Sequence, residues 1–322
     1  MKFSILAPGG IARKMAEAVS GLESVQRYAV ASRTYDKAKA FADEWGFEKA
    51  YGSYEEMLED PEVELVYIAT PHSHHYQYAR MCLEHGKHVL VEKAFTVNAA
   101  QAEELIRLSE EKGLLLTEAI WTRYMPSRRM IDELVDSGVI GEVTSLTANL
   151  GYVLDHVERM QNPELAGGAL LDLGVYPINF AMMVFHSEIK NVASSAVMSP
   201  KVIDWMNSIT LTFEDGKMAV LHSNMLAQTD REGVINGSKG YIEIQNINNC
   251  EEIRVFNLDR EITARYQVPE QINGYEYEVI ACQKAIEDGR VECEEMPHSE
   301  TLKVMKLMDE IRGQWGMKYP CE

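Results

Sequence analysis

Phe3-Ser4-Ile5-Leu6-Ala7-Pro8-Gly9-Gly10-Ile11-Ala12 reads as a short apolar strand running into a glycine-containing turn, and Arg13–Val19 continues it as a helical pattern. A turn of this kind lets the backbone approach a pyrophosphate, which then rests on the positive end of the helix. Gly9 and Ala12 take the second and third small positions of the dinucleotide fingerprint, with Gly10 and Ile11 between them. Ala7 stands where the first glycine would be. Taken alone, the segment fits a plain strand-to-helix turn equally well. Its neighbours decide the matter.

Downstream, strands are expected at Tyr28–Ala31, Leu65–Ala69, His88–Val91 and Leu114–Thr117, with helical patterns between them. Ser53 with Glu56 and Asn98 with Gln101 have capping-box spacing, and Gly86 and Gly113 sit where helices should stop. Leu65-Val66-Tyr67-Ile68-Ala69 is apolar throughout, as strands covered on both faces of a parallel sheet are. The N-terminal half therefore reads as doubly wound α/β. After Trp121 the pattern changes. Pro126 opens a helix ending near Gly138, and Val143–Val153, Ile189–Met198, Ile203–Phe213, Met218–Leu226, Gly233–Asn236, Tyr241–Gln245, Ile253–Asn257 and Ile262–Val268 alternate as half-exposed strands. Helices are expected at Leu170–Phe185, Tyr275–Asp288 and Ser299–Trp315. The expected architecture is a dinucleotide-binding α/β domain over residues 1–121 and an α+β domain over 122–322 with a large, mainly antiparallel open sheet.

With 50 acidic against 31 basic side chains the net charge is −19, which argues against nucleic acid and anionic membranes as partners. An anionic cofactor then needs a local site of helix N-termini and a few placed cations. No apolar stretch is read as approaching the ~20 residues of a membrane span. Met1–Leu6 has no signal-peptide character, and the five cysteines are scattered without a Cys-x-x-Cys pair. Together these features lead to the expectation of a cytoplasmic protein.

The second strand ends in Ala31-Ser32-Arg33-Thr34, where an NAD site would offer an acid to the ribose 2′-hydroxyl. Arg33 with the hydroxyls of Ser32 and Thr34 suits a 2′-phosphate instead, which favours NADP over NAD; the alternative is that Arg33 caps a solvated turn. Lys93 follows a further strand, at the carboxyl end where open α/β sheets bind ligands. Far downstream, Gly167-Gly168-Ala169-Leu170-Leu171-Asp172-Leu173-Gly174-Val175-Tyr176-Pro177 places Asp172 and Tyr176 four apart, on one helical face.

Glu92-Lys93, the glycine-rich first turn, Thr70-Pro71-x-x-x-His75 and Gly168-Ala169-x-x-Asp172-x-Gly174-x-Tyr176 together make the chain resemble the glucose-fructose oxidoreductase/inositol dehydrogenase (Gfo/Idh/MocA) family over essentially its whole length. Glu118-Ala119-Ile120-Trp121-Thr122-Arg123-Tyr124, and tyrosine rather than histidine at 176, are similar to the dihydrodiol dehydrogenase and NADP-dependent D-xylose dehydrogenase branch. The resemblance implies an NADP-dependent dehydrogenase acting on CH–OH groups of a sugar, polyol or cyclic diol. It implies that Lys93 and Tyr176, from opposite domains, handle the proton while Asp172 orients substrate or lysine. A free phenol with a pKa of ~10 needs a nearby ammonium to act as a base near neutrality, which Lys93 would supply. Thr70, Pro71, His75, Glu92, Trp121 and Arg123 are implied cofactor contacts, with Trp121 and Tyr124 as substrate walls or, alternatively, ordinary packing.

One departure stands out. The family motif reads Glu-Lys-Pro with a cis lysine-proline bond, and this chain has Ala94. Non-proline residues strongly favour trans, so the motif leaves the placement of Lys93 open. His72, His74 and His75 lack the carboxylate or cysteine spacing of a metal site, and no metal is expected. A glycosidase using transient oxidation and a dinucleotide-binding regulator are the competing functions. The open sheet of the second domain would be covered by pairing into a homodimer or homotetramer.

Overall fold

The computed structural model describes residues 1–322, which divide into two compact units. The first has a six-stranded, wholly parallel sheet of β1 (Lys2–Leu6), β2 (Gln26–Ala31), β3 (Lys49–Tyr51), β4 (Leu65–Ile68), β5 (His88–Glu92) and β6 (Leu116–Ala119), in the order β3-β2-β1-β4-β5-β6. Helices α1 (Gly10–Ser20), α2 (Tyr35–Trp45), α3 (Tyr54–Glu59), α4 (His75–Glu84) and α5 (Ala99–Lys112) fill the crossovers. Every residue of β4 is buried, as its unbroken apolar run requires. Leu6 lies between Ala31 and Ile68 in the sheet, so the loops after β1, β2 and β4 leave the same edge, at the point where the winding direction reverses.

The caps are those the spacing predicts. Ser53 Oγ accepts the Glu56 N–H at 3.2 Å, Asn98 Oδ1 accepts the Gln101 N–H at 3.0 Å, and Gly113 ends α5 at φ 65°. Strand β3 was not expected, because three half-buried residues carry no readable alternation.

The division of the chain differs from a single cut at 121/122. The first unit comprises Met1–Tyr124 and also Gln271–Met305, while the second comprises Met125–Glu270 and Lys306–Glu322. The returning segment belongs to the first unit because it bonds there: Asn273 Nδ2 donates to the Lys14 carbonyl at 2.9 Å, and Leu116 N donates to the Val291 carbonyl at 2.9 Å. Sequence periodicity reports that a helix has a buried face, not which core buries it.

In the second unit, α6 (Pro126–Asp136) precedes β7 (Val143–Gly151), and α7 (Val175–Val184) precedes the strands β8 (Ile189–Met198), β9 (Asp204–Phe213), β10 (Met218–Asn224), β11 (Gly233–Gly237), β12 (Gly240–Ile244), β13 (Glu252–Asn257) and β14 (Ile262–Gln267). These form one sheet, ordered β14-β13-β12-β11-β7-β10-β9-β8, antiparallel except where β7 runs parallel to β10. All eight expected strands are present. Ile209, Leu211, Phe213, Ala219 and Leu221 are buried on one face, and α7 packs against β7 and β10. The chain then forms α8 (Glu276–Glu287) and α9 (His298–Gln314).

The expectation that no apolar stretch nears membrane-span length is corrected: Pro163–Val184 spans 22 residues and holds an 18-residue window of mean hydropathy 1.3. Its most apolar window is 94% buried within the protein, as a core helix is. Replacing Asn98 with alanine should cost about 1 kcal/mol, the value of an N-cap, in urea denaturation of the chain. An unchanged midpoint would show that the cap contributes nothing.

Candidate active site

The turn after β1 explains its own departure from the fingerprint. Ala7 sits at φ 71°, the left-handed conformation for which the fingerprint uses glycine, while its N–H donates to the Ala31 carbonyl at 3.0 Å. Gly9 is different. At φ −112° and ψ −162° its conformation suits any residue, and a Cβ there would meet only the Ala7 carbonyl oxygen, at 4.0 Å. A Cβ on Gly10 would meet nothing within 4 Å. Neither backbone strain nor packing within the protein calls for glycine at 9 or 10. The start of α1 carries no side-chain cap and no acidic residue in its first turn, so its N–H groups are kept for an anion. Across the sheet, the Thr70 Oγ1 hydroxyl is buried with no hydrogen-bond partner. This donor set fits a dinucleotide pyrophosphate.

At the end of β2, Ser32 is buried and its N–H donates to the Tyr51 carbonyl, while Arg33 and Thr34 are exposed. Thr34 begins α2 without a side-chain cap. The Arg33 guanidinium makes no hydrogen bond or ion pair, and it lies near enough to His74 to act, after burial, in holding that imidazole below its usual range. His74 stacks on Tyr78 at 6.0 Å, and Tyr78 meets Tyr54 edge-on at 4.8 Å. An exposed cation beside an aromatic wall is what an adenosine 2′-phosphate needs.

Lys93 leaves the end of β5 in a turn held from below. Glu92 accepts the Tyr67 hydroxyl on one oxygen and the Lys93 N–H on the other, at 3.2 Å. The Lys93–Ala94 peptide is cis, the form expected at the family's lysine-proline position. His75 is fully buried, with its ring nitrogens 2.9 Å from the carbonyls of Thr70 and Ala94, and burial pushes it down to about 4. It ties together the two loops that carry Thr70 and Lys93. Pro71 begins the 3-10 turn His72–His74 before it.

Trp121 stacks on Tyr275 at 4.3 Å and 13°, so its indole plane is set by a residue 154 positions later that the sequence did not single out. Arg123 is committed to Glu300 at 3.0 Å and is only 7% exposed, which makes it a structural cation rather than an evident cofactor contact. Tyr124 is a core residue. Its hydroxyl is 2.8 Å from Thr117 Oγ1 and donates to the Glu118 carbonyl, so the packing alternative describes it.

In the second unit, Asp172 lies in a π-helical turn, Leu170–Gly174, that runs into α7, which carries Tyr176. The expected helix Leu170–Phe185 is therefore α-helical only from Val175. Such π-turns concentrate at functional sites. Asp172 receives a two-pronged pair from Arg159, at 3.2 and 3.3 Å. The approach to the helix is braced by Asp204, fully buried, which faces the Ala169 and Leu170 N–H groups and accepts Asn207 at 2.8 Å. Gly168 must be glycine: it sits at φ 110°, and a Cβ would fall 2.5 Å from Asp204 Oδ1. Tyr319 adds a hydrogen bond to the Gly167 carbonyl at 2.9 Å.

A doubly wound parallel sheet with an uncapped first helix, joined to a unit built on an open sheet, defines a dinucleotide-dependent oxidoreductase architecture. Comparison with known proteins agrees. Residues 1–120 match the oxidoreductase family with an NAD-binding Rossmann fold, and residues 129–243 match the GFO/IDH/MocA C-terminal domain. The chain belongs to the Gfo/Idh/MocA family of oxidoreductases. It is 34% identical to D-xylose 1-dehydrogenase (NADP(+)) of Hypocrea jecorina, over 99% of this chain and 93% of that one. It is 33% identical to trans-1,2-dihydrobenzene-1,2-diol dehydrogenase of Xenopus tropicalis, over 99% of each. A 3-ketoreductase from Actinomadura kijaniata, solved with NADP and TDP-benzene, superposes with a TM-score of 0.89 at 26% identity, covering 97% of both chains.

Burial raises Glu118 from 4.5 to about 7, against the lowering charge of Arg123 and the Phe95 N–H. A raised acid contributes stability that is complete below its unfolded pKa and is lost as pH rises through the folded one. Stability should therefore fall between pH 4.5 and 7. Glu118→Gln should remove the part of that slope due to Glu118, up to about 3 kcal/mol, in denaturant titrations across the range. A slope identical in the variant would assign it elsewhere.

Proposed function

We propose that this chain transfers a hydride between the nicotinamide of NADP and a CH–OH or C=O carbon of a sugar, polyol or cyclic diol. The observation that carries this reading is the first turn. Gly9 and Gly10 keep side chains away from an uncapped helix start, and Arg33, with no acid beside it, stands at the neighbouring strand end. The relatives in xylose and dihydrodiol oxidation support the substrate class.

When bound, NADP supplies the hydride acceptor or donor, and the chain's own residues manage everything else. Gly9, Gly10 and the α1 N–H groups would hold the pyrophosphate, Arg33 with Ser32 and Thr34 the 2′-phosphate, and Thr70 with Pro71 would border the cofactor. Trp121, held flat by Tyr275, excludes water beside the reacting carbon. Tyr176 would take the hydroxyl proton of the carbinol, with the Lys93 ammonium favouring its phenolate, and Asp172 would fix the neighbouring hydroxyl. The Glu92 carboxylate, clamped by Tyr67, positions the Lys93 turn.

A glycosidase using transient oxidation would regenerate its cofactor in each cycle, and a regulator would not turn over at all. Net, stoichiometric NADPH formation separates both from a dehydrogenase. The outer face of the second sheet exposes Val197, Met218 and Val220 and carries the stacked pair Tyr241–Phe256, at 4.5 Å. A second copy covering that face makes a homodimer, or a homotetramer if pairs associate further. The cytoplasm is the compartment that suits five unbridged cysteines.

Arg33→Ala should weaken NADP binding by about 10-fold to 150-fold, the value of a charged hydrogen bond, and leave NAD nearly unchanged. Equal losses for both cofactors in calorimetric titration would remove Arg33 from the phosphate. Lys93→Met and Tyr176→Phe should each lower kcat by about 10²–10⁴-fold with NADP affinity within a few-fold, and the double variant should be scarcely worse than either. Additive losses would mean two independent roles.

A further inference from the structure

Arg159 lies in a segment with no motif, in the 3-10 turn Glu158–Gln161, and the structure brings its guanidinium onto Asp172. We propose that Arg159 is a specificity-determining residue of the substrate site, joined with Asp172 into one donor–acceptor surface that reads adjacent hydroxyls of an uncharged substrate. The inference rests on Asp172 bordering the substrate, as the functional reading has it.

The pairing is built into the backbone. A Cβ on Gly167 would lie 2.6 Å from the carbonyl oxygens of both Arg159 and Met160, so the turn can rest on this loop only because residue 167 has no side chain. Gly168 N donates to the Met160 carbonyl and Gly167 N to the Asn162 carbonyl, both at 3.1 Å. The two glycines that open the helix of Asp172 and Tyr176 thus also seat the turn that delivers Arg159. Nη1 bonds Asp172 Oδ1 at 3.2 Å and Met160 Sδ at 3.4 Å, and Nη2 bonds Asp172 Oδ2 at 3.3 Å. A guanidinium has five N–H donors in a fixed fork, so the Nε hydrogen and one on Nη2 remain for a ligand. The side chain is 43% exposed, against 7% for that of Asp172.

Charge then decides the substrate class. The guanidinium neutralises a nearly buried carboxylate. A phosphorylated or carboxylated sugar could take Arg159 only by drawing the guanidinium away from this nearly buried carboxylate, which is unfavourable. A neutral vicinal diol faces no such cost: one hydroxyl accepts from the remaining guanidinium hydrogens while its neighbour donates to the carboxylate, and the pair stays intact.

The test compares neutral sugars and diols with their phosphorylated, aldonic-acid and amino counterparts, in NADP(H)-coupled assays of the wild type, Arg159→Met and Arg159→Lys. The wild type should prefer the neutral compounds. Arg159→Met should raise KM for them by about 10-fold to 100-fold with NADP affinity held, should lower the melting temperature because the nearly buried carboxylate loses its guanidinium, and should shift preference toward amino sugars, which bring a cation of their own. Arg159→Lys keeps the charge but not the fork, and should restore only part of the loss. An unchanged KM in Arg159→Met, or a wild type that prefers phosphorylated or acidic sugars, overturns the inference and leaves the dehydrogenase reading standing. Failure to turn over any compound overturns the dehydrogenase reading and this inference together. If the variants do not fold, the wild-type panel decides alone.

Discussion

The turn from Ala7 to Gly10 must bring main chain to the start of α1 without setting a side chain in front of it, and the rest of the first unit is organised around that requirement. The helix offers uncompensated N–H groups only because nothing in the chain caps it. Its position is fixed by β1, which lies at the centre of the sheet between β2 and β4, and by the bond from Ala7 N to Ala31. The same order places Arg33, Thr70 and His74 at the neighbouring strand ends. A strongly acidic protein can hold an anionic cofactor because the binding field is local and made of oriented dipoles and one uncommitted guanidinium, not of net charge.

Buried acids play the complementary part. Glu92 accepts the Tyr67 hydroxyl and the Lys93 N–H, and so holds the lysine turn from beneath. Glu278 is fully buried, neither of its oxygens has a hydrogen-bond partner, and burial followed by the Glu92 charge pushes it well above the usual carboxylate range. In the second unit Asp204 secures the helix start, while Arg159 holds Asp172. Carboxyl groups of the same type thus differ in role with the donors and the burial around them.

Sequence and structure agree best where the signal is local. Ser53 and Asn98 cap as their spacing indicates, β8 spans the expected residues, and the all-apolar run at Leu65–Ile68 is a buried strand of the parallel sheet. Glycine identities carried less than they could. Ala7 looked like a defect in the fingerprint, yet it adopts the left-handed turn that glycine would. Gly167 looked like part of a helix signature, but its absent side chain serves a turn several residues earlier. What the sequence hid is pairing between distant segments: Trp121 with Tyr275, Arg123 with Glu300, Arg159 with Asp172, and the return of Gln271–Met305 to the first unit. None of these leaves a periodicity, because each depends on where two chain segments meet. The aromatic Tyr124 shows the converse, a site-like neighbourhood in sequence and a core position in space.

The central claim is that Gly9 is glycine for the sake of a bound dinucleotide and not for the protein's own packing. Gly9→Val tests it in one comparison, by measuring NADP binding calorimetrically alongside the melting temperature of the cofactor-free protein. The account predicts an unliganded melting temperature close to that of the wild type, since a Cβ at this position meets only the Ala7 carbonyl oxygen, together with a loss of NADP affinity of tenfold or more, about 1.4 kcal/mol. Undiminished NADP binding would contradict it, as would a collapse of the cofactor-free fold.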